Sequence, residues 1–271
     1  MKRCFLAYLL VLSAITYGQY TKKHIDPKYV FCYKQATFST DDYKIYIEDA
    51  INEDGLSKFK IRIFNKTNDY LIFKPSDVVF KIGTQEIACK EKQILILPNE
   101  ENWKVLSVKG TGFQEEKYTI ELKQMHKVSA SSEPIKIEDL SLPSSNTEFI
   151  AGKFKYTIKK ADLKTDKSII RCECVYEGDG VGILSPGKCV AIMPKGQENA
   201  NADKFKSCLL EKGKGESFLI EFREMKGGGD MQKGPLKLVW GETFKESKQE
   251  PIPGGKINLE LDAPKTAERN Q

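Results

Sequence analysis

The chain has 271 residues, 40% of them hydrophobic and 30% charged, with 43 Lys and Arg against 38 Asp and Glu for a net charge of +5. A balance that close, with both signs mixed along most of the chain, excludes the concentrated basic face that nucleic-acid binders carry. A mean hydropathy of −0.44 alongside 14 Phe and 11 Tyr marks a well-solvated chain that can still build cores, and excludes a disordered one.

The first residues read as a leader. Lys2 and Arg3 precede the apolar run CFLAYLLVLSAITYG, which is too short to span a bilayer and ends in small residues. Residues 1–18 are therefore expected to be a cleaved signal peptide, leaving an exported chain that is periplasmic, at the cell surface or extracellular. No later run approaches the length of a membrane span, so no integral membrane segment is expected beyond the leader. Cys4 lies before the apolar core rather than after it, out of place for lipid attachment.

Residues 19–42 form an arm with little periodicity. From Tyr43 the reading is carried by period-two alternation: in FKIRIFN, Phe59, Ile61 and Ile63 share one face while Lys60 and Arg62 share the other, as a half-buried strand requires. The same period recurs at WKVLSV, YTIEL and IKIEDLSL, and later at SFLIEF, LKLVW and KINLEL. Convincing apolar stripes of helical period are missing, so the class is all-β.

A repeat underlies these strands. Lys44 to Gly83 is echoed by Lys155 to Pro194: an alternating strand, a charged connector, a longer alternating strand, an Asp-containing turn, a Pro-containing bend and another apolar strand. SLPSSN (141–146) reads as a linker. The expected units are 43–143 and 148–263, each a sandwich of two antiparallel sheets, followed by a disordered tail over 264–271.

IFNKTNDYLIFKPSDVVF, followed by ILPNEENWKVLSV and EEKYTIEL, resembles the telokin-like immunoglobulin domains of bacterial envelope proteins. The resemblance covers nearly all of the chain beyond the leader, although the second repeat departs from it through GDGVGILSPGKCVAIM and the excursion KGQENANADKFKSC. It implies two tandem immunoglobulin-like sandwiches and transfers no catalytic residue, because its motifs are structural.

Six cysteines lie beyond the leader, an even number in a chain expected to be exported, which fits disulfides. Cys32 and Cys89 form the natural pair of the first half. CEC at 172–174 places two sulfurs on one side of a strand, aligned with Ile61 and Ile63 of the first repeat and hence core-facing. With Cys189 and Cys208 they read first as buried thiols or core disulfides. The alternatives are a four-thiolate zinc or copper site from Cys172, Cys174, Cys189 and Cys208, without the usual CxxC spacing, and a redox pair, without the CxxC that opens a helix.

Other chemistry is thinly supported. The two histidines, His24 and His126, stand near no nucleophile motif, and both read as surface groups. Gly227 to Gly229 read as a flexible hairpin loop, because no helix follows to hold a phosphate. Lys153 to Lys167 carries six Lys against two Asp, whereas Tyr43 to Ser57 carries four acids against one Lys; this suggests edge-strand lysines that block sheet pairing, with opposite charges that orient the two units, or contact with an anionic glycan or lipopolysaccharide headgroup, as the alternatives. Trp103 and Trp240 each read as a core filler, with a sugar platform as the alternative. The expectation is thus an exported, non-enzymatic binding or scaffolding protein of the bacterial envelope, needing no cofactor, with a protein partner or a glycan and no nucleic acid. The alternatives are a metal- or thiol-dependent enzyme using the Cys172 cluster and a carbohydrate-binding module. The candidate binding loops are Asn68 to Pro75, Gly178 to Pro186, Gly196 to Lys204 and Gly227 to Pro235.

Overall fold

The computed structural model describes residues 26–203 and 205–271, so the expected leader, His24 and Lys204 lie outside the described residues. Over the described residues the protein is all-β with antiparallel sheets and one short helix. The first half holds β1 (Phe31–Cys32), β2 (Ala36–Ser39), β3 (Tyr43–Glu53), β4 (Leu56–Asn65), β5 (Tyr70–Phe73), β6 (Val78–Ile82), β7 (Gln85–Ala88), β8 (Ile94–Ile96), β9 (Glu101–Lys109) and β10 (Lys117–Val128). The second holds β11 (Leu140–Leu142), β12 (Glu148–Ala151), β13 (Phe154–Leu163), β14 (Lys167–Tyr176), β15 (Val181–Leu184), β16 (Val190–Ile192), β17 (Glu198–Ala200), β18 (Cys208–Leu210), β19 (Lys214–Arg223), β20 (Leu236–Val239) and β21 (Phe244–Ser247). The long strand β22 (Gln249–Glu260) and helix α1 (Ala263–Arg269) follow. Two strands, β1 and β2, lie in the stretch expected to be an arm.

Alternation decides which way each strand faces. In β4, Phe59, Ile61 and Ile63 are buried while Lys58, Lys60 and Arg62 stay at the surface. One sheet runs β1–β3–β4–β9 with β2 also against β3; the other runs β7–β6–β10–β5–β8. Ile45, Ile61 and Leu106 from the first meet Phe73, Phe80 and Ile120 from the second in one core. The second half repeats the plan. β12–β13–β14–β19 form one sheet, while β11–β20–β16–β17 and β18–β15–β21 form two more, and their buried faces join in a second core around Tyr156, Trp240 and Phe244.

The repeat holds in register as well as in pattern. Lys44 pairs with Phe64 and Tyr46 with Arg62; at the matching places Lys155 pairs with Val175 and Thr157 with Glu173. Both hairpins slip register by one residue at neighbouring places, between Glu48 and Ile51 in the first and, one residue earlier in the repeat, between Ile158 and Lys160 in the second. Each long strand carries a fully buried serine at its second position, Ser57 in β4 and Ser168 in β14. Each short strand that follows leads into a Pro-initiated 3-10 turn, Pro75–Asp77 and Pro186–Lys188. The halves differ where β10 runs unbroken past β6 and β5, whereas its counterpart is split into β20 and β21 by a turn closed from Thr243 N to the Trp240 carbonyl at 2.8 Å.

The chain order within the two units departs from expectation. KINLEL, expected in the unit 148–263, lies in β22, which pairs with β10 from Lys117↔Glu260 to Val128↔Gln249 and places Ile257 and Leu259 in the first core. SLPSSN, expected as a linker, supplies the end of β11, which lies beside β20 as β22 lies beside β10. The second unit is therefore inserted between two neighbouring strands of the first, and the chain crosses over just after Val128 and again at Lys248. Pro251 and Pro253 are tolerated because β22 pairs on one side only. Gly254 and Gly255 are required by close approach: an added Cβ would stand 1.9 Å from the Leu122 carbonyl oxygen and 2.2 Å from the Phe38 ring, respectively.

The two units meet through a small apolar cluster. Tyr70, Ile72 and Val128 of the first pack against Val181 and Ile183 of the second. Polar contacts frame it, including Ser247 Oγ to the Ser129 carbonyl at 3.1 Å and Lys206 Nζ to Glu100 at 2.8 Å.

The expected disordered tail is instead α1. Asp262 caps it by accepting from Lys265 N at 3.2 Å, and Pro264 opens its first turn, where a missing N–H costs no bond. Buried Thr266 accepts from Cys32 N at 2.9 Å, and Asn270 exchanges bonds of 2.8 Å with Val30 N and the Val30 carbonyl. These bonds fasten the helix to β1.

Candidate functional site

The inward alternation of β3, β4 and β9 leaves their other face outside. Cross-strand register sets Thr37, Tyr46, Arg62 and Trp103 in one row, and Glu48, Lys60 and Val105 in the next. Trp103 is 57% exposed and Val105 47% exposed, two of the three exposed large hydrophobic residues among the described residues. Trp103 is therefore not the core filler expected, because odd positions of β9 point outward while Leu106 and Val108 point in. Trp240 does fill the second core, 4.9 Å from the Tyr156 ring.

Charge organises the rows. The Arg62 guanidinium lies 4.0 Å from the Tyr46 ring centroid and Lys44 Nζ lies 4.7 Å from it, while Lys60 Nζ is 5.2 Å from the Trp103 ring. Glu48 Oε1 accepts from Arg62 Nε at 3.1 Å and Nη2 at 2.7 Å, and Glu101 accepts from Nη1 at 2.9 Å. Lys60 stands 3.2 Å from Glu48. Hydrogen bonding to Arg62, helped by Lys60, holds the Glu48 carboxyl below its ordinary range, and the same bond raises Arg62. The free edge of β9 is partly closed, since Asn102 Oδ1 accepts from Trp103 N and Glu91 Oε1 from Ser107 N, both at 2.8 Å.

The face continues into a bowl. Ile51, Lys58 and Ser107 make the next row, and Cys32 pairs with Ile51. α1 walls that end, giving an open hollow of about 550 Å³ lined by Cys32, Ile51, Lys58 and Arg269 with Asp49, Lys265 and Glu268. Asp49 sits at the bulge in β3 with φ +51°, a backbone conformation that turns it away from the regular ladder. Lys265 is 3.9 Å from Asp49.

The remaining candidates are structural in their surroundings. All six described cysteines are free thiols, which overturns the expected disulfides. Cys32 and Cys89 cannot pair because Cys32 faces the bowl while Cys89 belongs to the first core, on the other side of the sheet. Cys172, Cys174 and Cys189 lie in the second core with Cys208 packed against it. Burial pushes the Cys172, Cys174 and Cys208 thiols up to about 12, and Cys189 also upward, so none is a ready thiolate near neutral pH. Among the described residues no three His, Cys, Asp or Glu side chains are placed to hold a metal ion.

His126 is buried rather than superficial. Its Nε2 lies 3.0 Å from Asp77 Oδ2 and its Nδ1 2.8 Å from Gln249 Nε2, so it ties the turn after β5 and the start of β22 to β10.

The loops also moved in role. Asn68 to Pro75 and Gly178 to Pro186 contain β5 and β15, whose apolar residues form the contact between units. Gly227 to Pro235 is pinned by fully buried Met231 and by Lys195 N bonding to the Gly228 carbonyl at 3.2 Å. The described part of Gly196 to Lys204 contributes β17 to a sheet. The lysine-rich stretch forms β13, which lies between β12 and β14 rather than at an edge, and Lys159 and Lys160 are ion-paired with Glu173 and Asp162. The exposed aromatic row was not singled out in the sequence; the signal available was the odd-position alternation of Trp103 and Val105 against Leu106 and Val108.

No family model fits the chain, and no curated sequence matches it. No helix among the described residues is long and apolar enough to cross a membrane.

Proposed function

We propose that the chain is an exported, non-enzymatic binding protein of the bacterial cell envelope that holds a partner protein on the outer face of β3, β4 and β9. In this reading its two units are immunoglobulin-like sandwiches of the telokin-like kind, as the paired antiparallel sheets around each core support. The observation that carries it is Trp103 with Val105, large apolar groups left in solvent beside Tyr46 and Arg62 on an ordered face. Trp, Tyr and Arg are the residues in which interface binding energy concentrates.

A photo-crosslinking amino acid at Val105, in the protein within its own envelope, tests the reading. A single adduct that disappears when Trp103→Ala is added supports it; equal labelling with and without Trp103, or the same adduct from a probe at Ser217, sinks it. The exposed Trp103 ring also favours a second reading, a carbohydrate platform. Tyr46 favours it less, since Arg62 and Lys44 cover its ring. Quenching or protection of Trp103 emission by neutral polysaccharide would support the sugar.

A further inference from the structure

We propose that the bowl between β3, β4 and α1 receives the carboxylates of an acidic segment of the partner protein, whose apolar side chains lie on Trp103 and Val105. This rests on the reading of the outer face as a protein-binding surface.

Charge bookkeeping along the face separates two zones. Beside Trp103 the two nearest cations are already satisfied, Arg62 by Glu48 and Glu101 and Lys60 by Glu48, while Lys44 at the far side of the Tyr46 ring has that ring as its neighbour. In the bowl they are not. Among the described residues Lys58 and Arg269 have no ion-pair partner, and Lys265 has only the loose 3.9 Å contact with Asp49. Lys58 and Arg269 therefore offer charge that an incoming anion can satisfy.

The bowl is built on ordered elements. Lys265, Glu268 and Arg269 share one side of α1 by their spacing of three and four residues, and that helix is fastened to β1 through Thr266 and Asn270. Lys58 stands on β4, two residues from Lys60 on the same face, so hollow and aromatic row form one surface. The fields of Lys265 and Arg269 reach the floor, where they oppose the burial that raises the Cys32 thiol. Asp49 and Glu268 at the rim would disfavour a densely charged polyanion, and Tyr46 offers no open ring to a sugar. A peptide with separated carboxylates and apolar residues between them fits both zones.

The test uses the full chain and four probes: a capped peptide of alternating Leu and Glu, its Leu and Gln counterpart, polygalacturonate and inorganic phosphate. The Leu–Glu peptide is expected to bind about tenfold more tightly than the Leu–Gln one, with the advantage shrinking as salt rises from about 50 to about 300 mM. The double variant Lys58→Gln, Arg269→Gln is expected to erase that advantage; both residues are exposed, and an unchanged melting temperature checks folding. A single Arg269→Lys variant is expected to keep part of it. Trp103→Ala is expected to weaken both peptides equally. Equal binding of the two peptides, or Arg269-dependent binding of polygalacturonate or phosphate without the peptide, overturns the bowl assignment. Indifference of both peptides to Trp103→Ala overturns the outer-face reading instead.

Discussion

The same strand grid is decorated differently in the two units. Where the first carries Tyr46, Arg62 and Trp103 in one cross-strand row, the second carries Thr157, Glu173 and Ser217 at the matching places. The inward faces differ in the opposite sense: Ile61 and Ile63 of the first core correspond to Cys172 and Cys174 of the second. A repeated backbone thus fixes which positions face water and which face the core, while leaving both sets open to different use. The exposed aromatic face belongs to the first unit because its large apolar groups stand where the ladder points them outward.

The largest effect on this comparison is expected from ending the chain at Lys248. The first unit would lose the strand that runs along the whole of β10, the buried Ile257 and Leu259, and the helix that covers Cys32. β11 would still complete the second unit. The expected outcome is amide exchange protection lost throughout β3, β4 and β10 but kept in β14 and β19. Equal protection of both units in the truncated chain would show that the first is independent of β22.

The tryptophans give the next effect. Trp240→Ala removes a nearly fully buried side chain among Tyr156 and Phe244 and is expected to cost about 3–5 kcal/mol in urea unfolding. Trp103→Ala is expected to cost less than about 1 kcal/mol, because over half of its surface already meets water. Similar costs for the two would contradict the assignment of one to a core and the other to a face.

The buried thiols mark the second unit in a further way. Burial pushes the thiols of Cys172, Cys174 and the half-buried Cys208 up to about 12, above the ordinary thiol range of the unfolded chain. Their contribution to stability is therefore complete below about pH 8.5 and is lost as pH rises toward 12, at most about 2 kcal/mol for each thiol by pH 10. Alkaline unfolding of the second unit is expected to flatten in Cys172→Val, Cys174→Val, a change toward the aliphatic pattern of the first unit. An unaltered alkaline limb would remove the thiols as its cause.

Strand positions and facing directions were legible in the sequence because period-two alternation is a local property: Phe59, Ile61 and Ile63 announce their face without reference to anything else. Ownership of a strand was not. KINLEL reads identically whether it pairs with β20 or β10, and only the distant register from Lys117 to Val128 decides. The tail misled for a related reason, since its polar composition concealed Thr266 and Asn270, whose partners are more than 230 residues away. Trp103 was visible as a strand residue, yet its exposure follows from a single step of register that a preference for buried tryptophan overrides.

The smallest effect tests what holds the aromatic row in order. Glu48 accepts two bonds from Arg62 and faces Lys60, so its carboxyl is held low by Arg62 first and Lys60 second. A folded pKa below the unfolded one gives stability that is present above the ordinary carboxylate range and is lost as pH falls through the lowered value. Glu48→Gln is therefore expected to lower urea stability at pH 7 by roughly 0.5–1 kcal/mol, the scale of a partly exposed pair, with the gap from the native chain closing as pH falls toward 3. A gap that stayed constant across that range would mean that shape rather than charge sets the effect. If the charge account holds, Arg62 stays over Tyr46 because Glu48 fixes its guanidinium from one side and Glu101 from the other. Trp103 then needs no ionic partner of its own to remain presented, and Glu48→Gln should loosen the row without covering it.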